Sequence, residues 1–144
     1  MMKILFICHG NICRSPAAEM VMRGLTDRAE VASAAVSSEE EGNPIYPPML
    51  QALKRQGISV HPHFARRMQA TEYRHYDHIV CMDRWNLSSL RRLCNGDPEG
   101  KISLLLSWAG EDRDVADPWY TRDFDSALAD IERGCRAMVK TLDL

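Results

Sequence analysis

The chain contains 144 residues, of which 45% are hydrophobic and 26% charged, and its formal net charge is −2 at pH 7. This length predicts one domain covering residues 1–144, and this composition is typical of an ordinary soluble globular protein. Basic residues form no run longer than the pairs at 66–67 and 91–92, so we expect no nucleic-acid partner.

The N-terminal residues and the cysteine content both bear on where the chain works. The apolar run in the first seven residues is too short for a secretory signal or a membrane span. The five cysteines are an odd number without the spacing of a disulfide framework, which fits a reducing compartment. We therefore expect a cytoplasmic protein without membrane insertion, and we expect a monomer.

Short apolar runs alternate with helical patterns along the chain, which is typical of an α/β domain with a parallel sheet. The apolar runs predict strands at residues 3–8, 31–35, 78–82 and 102–105. Helical spacing and end signals predict helices at residues 16–29, 47–56, 71–76, 83–93 and 124–140. The expected fold is a single three-layer domain with a central four-stranded parallel sheet flanked by helices and a phosphate-binding loop after the first strand.

The loop between the first predicted strand and the first predicted helix carries the main chemical signal. It begins at Cys8 and ends where Ser15 can cap a helix and Pro16 suits its first position. Unpaired backbone N–H groups and the helix dipole attract an anion such as phosphate to this point, and Gly10 permits a tight backbone cradle. The predicted phosphate-binding residues are His9, Gly10, Asn11, Ile12, Cys13, Arg14 and Ser15.

Cys8 and Arg14 supply the predicted chemistry of this loop. A thiol in such a positive site should be ionised at neutral pH and act as a nucleophile. The planar guanidinium of Arg14 can bind two oxygens of a phosphoryl group. The pair predicts attack of sulfur on phosphorus with a phosphocysteine intermediate. The Cys-x5-Arg spacing alone is a weak signal, and it gains weight from the strand, loop and helix around it.

The segment from Cys8 to Glu19 resembles the signature of the low-molecular-weight protein tyrosine phosphatase family, a Cys-x5-Arg-Ser-Pro loop near the N-terminus. The similarity spans nearly the whole chain, because further motifs of that family follow in order. These motifs are Ser33-Ala34, Gly42-Asn43-Pro44, Gly57-Ile58, His63-Phe64-Ala65-Arg66, Ile79-Val80-Cys81-Met82-Asp83, Asn86-Leu87 and Asp117-Pro118-Trp119-Tyr120. The resemblance implies a cysteine-dependent phosphatase that acts on phosphotyrosine in protein substrates and needs no cofactor.

The Asp117-Pro118 pair is the candidate source of the proton that the leaving group needs. Taken alone, an Asp-Pro pair predicts a turn. The family resemblance implies instead that Asp117 is the general acid, and that it later accepts a proton from the attacking water. Trp119 and Tyr120, which follow directly, are predicted to form the wall of a pocket for an aromatic ring.

Polar residues around the loop are expected to hold it in place. The resemblance implies that Ser33 and His63 join Asn11 and Ser15 in hydrogen bonds that tie the loop together. Ser15 is also placed to stabilise the thiolate with its hydroxyl. Asp83 after the third strand is predicted to cap a helix rather than to act in catalysis. The histidines and cysteines lack paired ligand motifs, so no metal is expected.

Three residues depart from the family pattern and concern the pocket walls. His9 occupies the variable second position of the loop, Glu39 stands where many relatives carry an aromatic residue, and Trp119 replaces a common tyrosine. If Glu39 lies at the pocket rim, it should disfavour acidic residues beside the phosphotyrosine and favour basic ones.

Alternative functions share parts of this pattern. Protein-arginine phosphatases of the same family carry threonine where this chain has Ile12, and the apolar side chain favours an aryl substrate. Arsenate reductases of the same fold add a shuttling cysteine pair, which the spacing of Cys81 and Cys94 does not resemble. A domain that binds phosphotyrosine without hydrolysing it is disfavoured by the intact nucleophile, arginine and Asp117.

The remaining cysteines have two expected roles. Cys13 lies in the same loop as Cys8, and one hypothesis is that oxidation at Cys8 is trapped as a Cys8–Cys13 disulfide. The alternative is that Cys13 is a small loop residue. Cys81, Cys94 and Cys135 are expected in or just below the core.

Overall fold

A four-stranded parallel sheet forms the centre of the computed structural model, which describes residues 1–144. The strands are β1 (Met2–Cys8), β2 (Ala29–Ala35), β3 (His78–Cys81) and β4 (Ile102–Leu104). Their order across the sheet is β2-β1-β3-β4, and every neighbouring pair runs parallel. The predicted sheet is confirmed, and each predicted strand is present to within two residues at either end.

Helices cover both faces of this sheet. They are α1 (Arg14–Leu25), α2 (Pro47–Arg55), α3 (Arg84–Leu93), α4 (Pro118–Thr121) and α5 (Phe124–Leu142), with 3-10 turns at Ala70–Arg74 and Leu105–Ala109. Ile4 and Phe6 of β1 pack into one apolar cluster with α1, α2 and α5, whereas Leu5 and Ile7 pack into a second cluster with α3. Successive strand residues point to opposite faces, so this continuous apolar strand is buried on both sides and three layers form.

The carboxyl ends of the strands meet at one edge of the sheet and position the candidate site. β1 ends at Cys8, and the Val36 N–H that follows β2 donates to the Cys8 carbonyl oxygen over 3.1 Å. On the other side, the Val115 N–H donates to the carbonyl oxygen of Met82, just after β3, over 2.8 Å. Ligands bind at this edge in parallel α/β sheets.

The predicted end of the first helix at residue 29 is wrong. The helix ends at Leu25, and Thr26 is already extended, with φ −153° and ψ 146°. Ala29 pairs with Met2 in the sheet, so the chain must leave the helix to begin β2. Sheet pairing overrides the local helical pattern here.

The short helix predicted at residues 71–76 is a 3-10 turn over Ala70–Arg74. Its N-cap is Gln69, whose backbone N–H donates to Glu72 Oε2 over 2.7 Å. The predicted helices at 47–56, 83–93 and 124–140 are present to within two residues at either end.

Candidate active site

The predicted phosphate-binding loop joins Cys8, the last residue of β1, to Arg14, the first residue of α1. Asn11 is fully buried and has a φ of +59°, a left-handed conformation that asparagine tolerates better than most residues. Gly10 does not adopt that conformation, and a Cβ there would lie 3.2 Å from Cγ of Glu40. The tight backbone turn that was expected at Gly10 is therefore formed by Asn11 in its left-handed conformation. The absence of a side chain at Gly10 leaves space for Glu40.

The sulfur of Cys8 is buried, with the residue 3% exposed, and it has two hydrogen-bond partners. Ser15 Oγ lies 3.0 Å from Sγ, and the backbone N–H of Asn11 donates to Sγ over 3.3 Å. The expectation that Ser15 caps the helix is wrong, because α1 begins at Arg14 and its N-cap is Cys13, which makes no side-chain cap bond. The Ser15 hydroxyl faces the sulfur instead.

The Asn11 side chain sets the direction of the hydrogen bonds around the sulfur. Its amide nitrogen donates to Ser15 Oγ over 2.8 Å and to Ser33 Oγ over 3.0 Å. Ser15 Oγ accepts from Asn11, and its own hydrogen has two acceptors within reach, Cys8 Sγ at 3.0 Å and the Ala34 carbonyl oxygen at 3.5 Å. An ionised sulfur can only accept, so Ser15 donates to the nearer sulfur when Cys8 is a thiolate. A donated hydrogen stabilises negative charge on the sulfur.

Further bonds hold Asn11 itself. His63 Nε2 lies 2.7 Å from the Asn11 carbonyl oxygen, and because a carbonyl only accepts, Nε2 carries the hydrogen. The Arg66 backbone N–H donates to Asn11 Oδ1 over 3.1 Å. These contacts order both the backbone and the amide of Asn11, so the loop is held from two sides.

Glu19 extends this network and was not among the predicted site residues. It is 8% exposed, accepts from the Ser33 hydroxyl over 2.6 Å and pairs with Arg23 at 2.9 Å. Because Ser33 donates to Glu19, its oxygen is left to accept from Asn11. The sequence signal was a glutamate on the inward face of an otherwise apolar helix, which is uncommon unless the charge is paired.

Arg14 is 2% exposed, and its guanidinium is held by partners from distant segments. Nη1 donates to Asp83 Oδ2 over 2.9 Å and to the Val115 carbonyl oxygen over 2.8 Å. Burial lowers the pKa of Arg14, but the negative charges of Cys8, Asp117 and Asp83 outweigh burial and raise the pKa above its usual value. With both Nη1 hydrogens occupied, Nε and Nη2 remain to face a bound anion.

Asp83 has two roles, of which the sequence predicted one. Its Oδ1 accepts from the Asn86 backbone N–H over 2.8 Å and caps α3, as expected. Its Oδ2 accepts from Arg14 and orients the guanidinium. The second role depends on a partner 69 residues away in the chain, so no local pattern indicated it.

Asp117 lies at the start of a short helix rather than in the turn that an isolated Asp-Pro pair predicts. Pro118 begins α4, and Asp117 Oδ1 caps it by accepting from the Trp119 N–H over 3.0 Å. The other oxygen, Oδ2, lies 3.5 Å from Nη2 of Arg14. The side chain is 29% exposed, so this carboxylate reaches solvent and still faces the loop.

A cavity of about 200 Å³ lies above Cys8, and aromatic and apolar side chains form its walls. Trp119 and Tyr120 line it, and so does Ile12, which was predicted as a phosphate-binding residue. Tyr46, which was not predicted, packs against Trp119 in a tilted arrangement with ring centroids 5.2 Å apart. Glu39 also lines the cavity, where its carboxylate lies 3.0 Å from His9 Nε2. No sequence pattern singled out Tyr46.

The other cysteines differ from Cys8 in their surroundings. Cys13 shares the pocket with Cys8, and burial, reinforced by the Cys8 charge, raises the pKa of the Cys13 thiol. Burial also raises the pKa of Cys81 to about 12. Cys81, Cys94 and Cys135 are all buried, as expected, and all five cysteines are free thiols.

Sequence and structural comparisons identify the family. The profile described as "Low molecular weight phosphotyrosine protein phosphatase" matches residues 3–144. The chain belongs to this family. It is 34% identical to the low molecular weight protein-tyrosine-phosphatase YfkJ of Bacillus subtilis over 151 residues, covering 99% of this chain and 96% of that protein. It is 37% identical to the human low molecular weight phosphotyrosine protein phosphatase over 148 residues, covering 95% and 93% of the two chains.

Solved structures of the low molecular weight phosphatase fold confirm the architecture. The crystal structure of YfkJ superposes with a TM-score of 0.93 at 33% identity and covers 99% of this chain and 95% of that one. A Drosophila arginine phosphatase superposes with a TM-score of 0.90 at 29% identity and covers 99% of each chain. The fold is therefore shared by phosphatases named for different substrates, and the pocket walls must carry the distinction.

Two further observations concern the whole chain. None of its helices combines the length and the apolar character that crossing a membrane requires. No group of three or more His, Cys, Asp or Glu side chains is arranged to hold a metal ion.

Proposed function

We propose that the chain hydrolyses phosphotyrosine in protein substrates through a phosphocysteine intermediate on Cys8. The observation that carries this proposal is the convergence of the Cys8 sulfur, the Arg14 guanidinium and the Asp117 carboxylate at the base of one aromatic-walled cavity. Each of the three is held by bonds to fixed neighbours, so the site is ordered before substrate binds.

In the first step, the Cys8 thiolate attacks phosphorus, an S–P bond forms and the bond between phosphorus and the tyrosyl oxygen breaks. The protonated carboxyl of Asp117 gives its proton to the departing oxygen. The Nε and Nη2 edge of Arg14 and the backbone N–H groups of the loop bind the phosphoryl oxygens. Asp83 holds the guanidinium in the orientation that this bidentate contact requires.

In the second step, water attacks the phosphorus of phosphocysteine, and the S–P bond breaks to release phosphate and the Cys8 thiolate. The Asp117 carboxylate, which lost its proton in the first step, accepts one from that water. The hydrogen donated by Ser15 stabilises the departing sulfur as its negative charge returns.

The pocket walls favour an aryl phosphate over a phosphoguanidine. Ile12 and the stacked Tyr46 and Trp119 present apolar surface to a ring. Ile12 has no polar atom for a guanidinium N–H, so phosphoarginine would bury unpaired donors against this wall. Phosphoserine is too short for its phosphorus to reach Cys8 while its backbone stays at the mouth.

Phosphate release from p-nitrophenyl phosphate, phosphotyrosine, phosphoserine and phosphoarginine, without added metal, tests the proposed activity. We expect hydrolysis of the two aryl phosphates and negligible release from the other two. Cys8→Ser serves as the control for covalent catalysis. Substantial activity in Cys8→Ser, or faster release from phosphoarginine than from phosphotyrosine, would overturn the proposal.

We further propose that the chain forms one domain and acts as a monomer in the cytoplasm. The cysteine usage fits a reducing compartment.

We also propose that oxidation joins Cys8 to Cys13. Both thiols line the same cavity, which supports their pairing. Peptide mapping without reductant after peroxide treatment should find a Cys8–Cys13 crosslink that reduction reverses together with the loss of activity. Reversible inactivation without that crosslink would contradict this pairing.

A further inference from the structure

A second cavity, here called the flanking groove, adjoins the catalytic pocket and extends to side chains that the proposed hydrolysis does not use, among them Trp85 and Asp114. It holds about 650 Å³. Four residues line both spaces, so the groove begins at the mouth of the pocket: His9, Arg14, Asp117 and Tyr120. One wall of the groove is the start of α3 with Trp85, and the other is the segment at 114–116.

Trp85 is the most unusual side chain of this groove. It is 84% exposed, and its ring makes no aromatic pair within the fold. It occupies the second position of α3, directly after Arg84, whose backbone N–H and guanidinium both donate to Asp114 over 3.2 Å. Trp85 is not part of the buried core, yet the bonds between Arg84 and Asp114 fix the groove wall on which it lies.

The charges around the groove attract a cation. Three aspartates, Asp83, Asp114 and Asp117, line the groove against one lining arginine, Arg14. Arg14 pairs with Asp83 and Asp117, and Asp114 shares the guanidinium of Arg84 with the exposed Asp112, so carboxylates outnumber guanidinium groups here. Glu39 and Glu40, which line the adjoining catalytic pocket, form no ion pair with lysine or arginine, and only Glu39 has an ionic partner, His9. A ligand side chain that enters the groove therefore meets carboxylates and an aromatic face together.

We propose that the flanking groove binds the side chain of an arginine or lysine adjacent to phosphotyrosine in the substrate. This inference rests on the proposed function, because the phosphotyrosine ring in the catalytic pocket is what brings the neighbouring residue to the mouth. The cation lies against the face of Trp85 and near the Asp114 carboxylate, which gives a cation–π contact and an ion pair. Basic phosphotyrosine sequences are thus the preferred substrate class of this chain.

Phosphotyrosine peptides that differ only by arginine or glutamine beside the phosphotyrosine test this inference. The peptides carry the substitution on the N-terminal side in one pair and on the C-terminal side in another. Two readouts are used: kcat/KM with the unmodified chain, and Kd with the full-length Cys8→Ser variant, which reports binding independently of turnover. Trp85→Ala and Asp114→Asn are compared with Asp27→Asn, an equal change of charge at an exposed site before β2, at the opposite edge of the sheet.

We expect the arginine peptide of at least one pair to be favoured about five- to tenfold in both readouts. Trp85→Ala and Asp114→Asn should each reduce this ratio to about twofold or less, and Asp27→Asn should leave it unchanged. Equal values for both peptides of each pair would overturn the inference while leaving the proposed hydrolysis intact. A ratio that survives in both groove variants would also overturn it, because the preference would then arise at the glutamate rim. If Cys8→Ser binds none of the phosphotyrosine peptides, both the inference and the proposed substrate are overturned. If the unmodified chain binds the peptides but does not hydrolyse them, the result counts against hydrolysis alone.

Discussion

At the residue scale, the direction of a few hydrogen bonds decides how the Cys8 sulfur is held. Glu19 accepts from Ser33, Ser33 accepts from Asn11, and Asn11 donates to Ser15, which leaves the Ser15 hydrogen for the sulfur. Every member of this chain is buried, so a reversed bond would leave an unpaired polar group, which costs about 1–3 kcal/mol. The polarity of the network is set at one end by the Glu19 carboxylate, which can only accept, and Ser15 donates to the sulfur at the other end when Cys8 is ionised.

Replacing Ser15 by alanine tests the role of this hydrogen. We expect the rate of iodoacetamide reaction at Cys8, measured at pH 6, to fall by about tenfold or more, because a hydrogen bond to a charged group contributes about 1.5–3 kcal/mol. Mass spectrometry of the labelled peptide checks that the reacting thiol is Cys8, and Cys8→Ser serves as the unlabelled control. An unchanged alkylation rate would show that the sulfur does not depend on this donor.

Replacing Asp117 by asparagine removes the proton donor while keeping an oxygen that can still cap α4. We expect kcat on phosphotyrosine to fall by about 10²–10⁴-fold. The loss should be smaller for p-nitrophenyl phosphate, whose leaving group needs less protonation. Steady-state rates over a series of substituted phenyl phosphates measure this dependence, and an equal loss for every leaving group would argue against general acid catalysis by Asp117.

At the scale of elements, two helix starts deliver carboxylates to the same guanidinium. α3 begins after Asp83 and α4 begins after Asp117, and each aspartate uses Oδ1 to cap its helix and turns Oδ2 toward Arg14. The caps fix the aspartate backbones, and therefore the positions from which the second oxygens reach Arg14. The same two aspartates therefore cap helices and hold the Arg14 guanidinium in place.

The contact of α5 with the turn at Leu105–Ala109 gives a prediction about stability. A Cβ at Gly134 in α5 would lie 2.5 Å from Cγ of the buried Leu105. Gly134→Ala should therefore lower the free energy of unfolding by about 1–3 kcal/mol through overpacking. Gly24→Ala in α1 is the matched control, because nothing lies within 4 Å of its Cβ position, and it should stabilise the helix by about 0.5–1 kcal/mol. Urea unfolding of both variants measures the difference, and equal effects would refute the close contact.

At the scale of the whole molecule, exposed ion pairs tie the final helix to the loop that carries the groove wall. Asp130 of α5 pairs with Arg113 at 2.9 Å, and Arg133 of α5 bonds to both Asp130 and Glu111. Burial raises the pKa of Asp130, but the bonds from Arg113 and Arg133 outweigh it and lower the pKa. Single exposed ion pairs contribute little to the stability of a fold, so we assign this network the role of orienting the segment before Asp114.

The hydrogen bonds of Asp97 lead to a prediction of how the free energy of unfolding changes with pH. It accepts from the Tyr73 hydroxyl over 2.5 Å and from the backbone N–H groups of Lys101 and Ile102. Burial raises the pKa of Asp97, but these bonds outweigh it and lower the pKa below the value of about 3.9 that an unfolded aspartate has. The stabilisation is therefore present above about pH 4 and is lost as the pH falls through the lower, folded-state pKa.

The measurement is urea unfolding of Asp97→Asn between pH 2 and pH 7. At pH 7 the variant should be less stable than the unmodified chain by about 1–2 kcal/mol, because asparagine has no charge and keeps only one oxygen to accept from Tyr73, Lys101 and Ile102. The difference should shrink below about pH 4, where Asp97 itself becomes protonated. A difference that stays constant over this range would show that the charge of Asp97 is not what stabilises the fold.

The amino-acid sequence by itself determined the features that depend on local pattern. The apolar run of β1 predicted a strand buried on both faces, and the loop from Cys8 to Arg14 stood out because strand, glycine and helix start are adjacent in the chain. The family motifs extended this prediction to Asp117, Ser33 and His63. The strand and the loop could be predicted because the interactions that form them lie within a few residues of one another, whereas Asp117, Ser33 and His63 came from the family resemblance alone.

Only the tertiary structure decided which distant side chains meet. Arg14 contacts Asp83 and the Val115 carbonyl oxygen, which are 69 and 101 residues away, and Trp85 faces a groove formed with the segment at 114–116. Such contacts depend on strand order and register, which bring the carboxyl ends of β1, β3 and β4 to one edge. Local periodicity contains no information about that order, so Tyr46, the groove and the bond of Glu19 to Ser33 emerged only once the strands were paired.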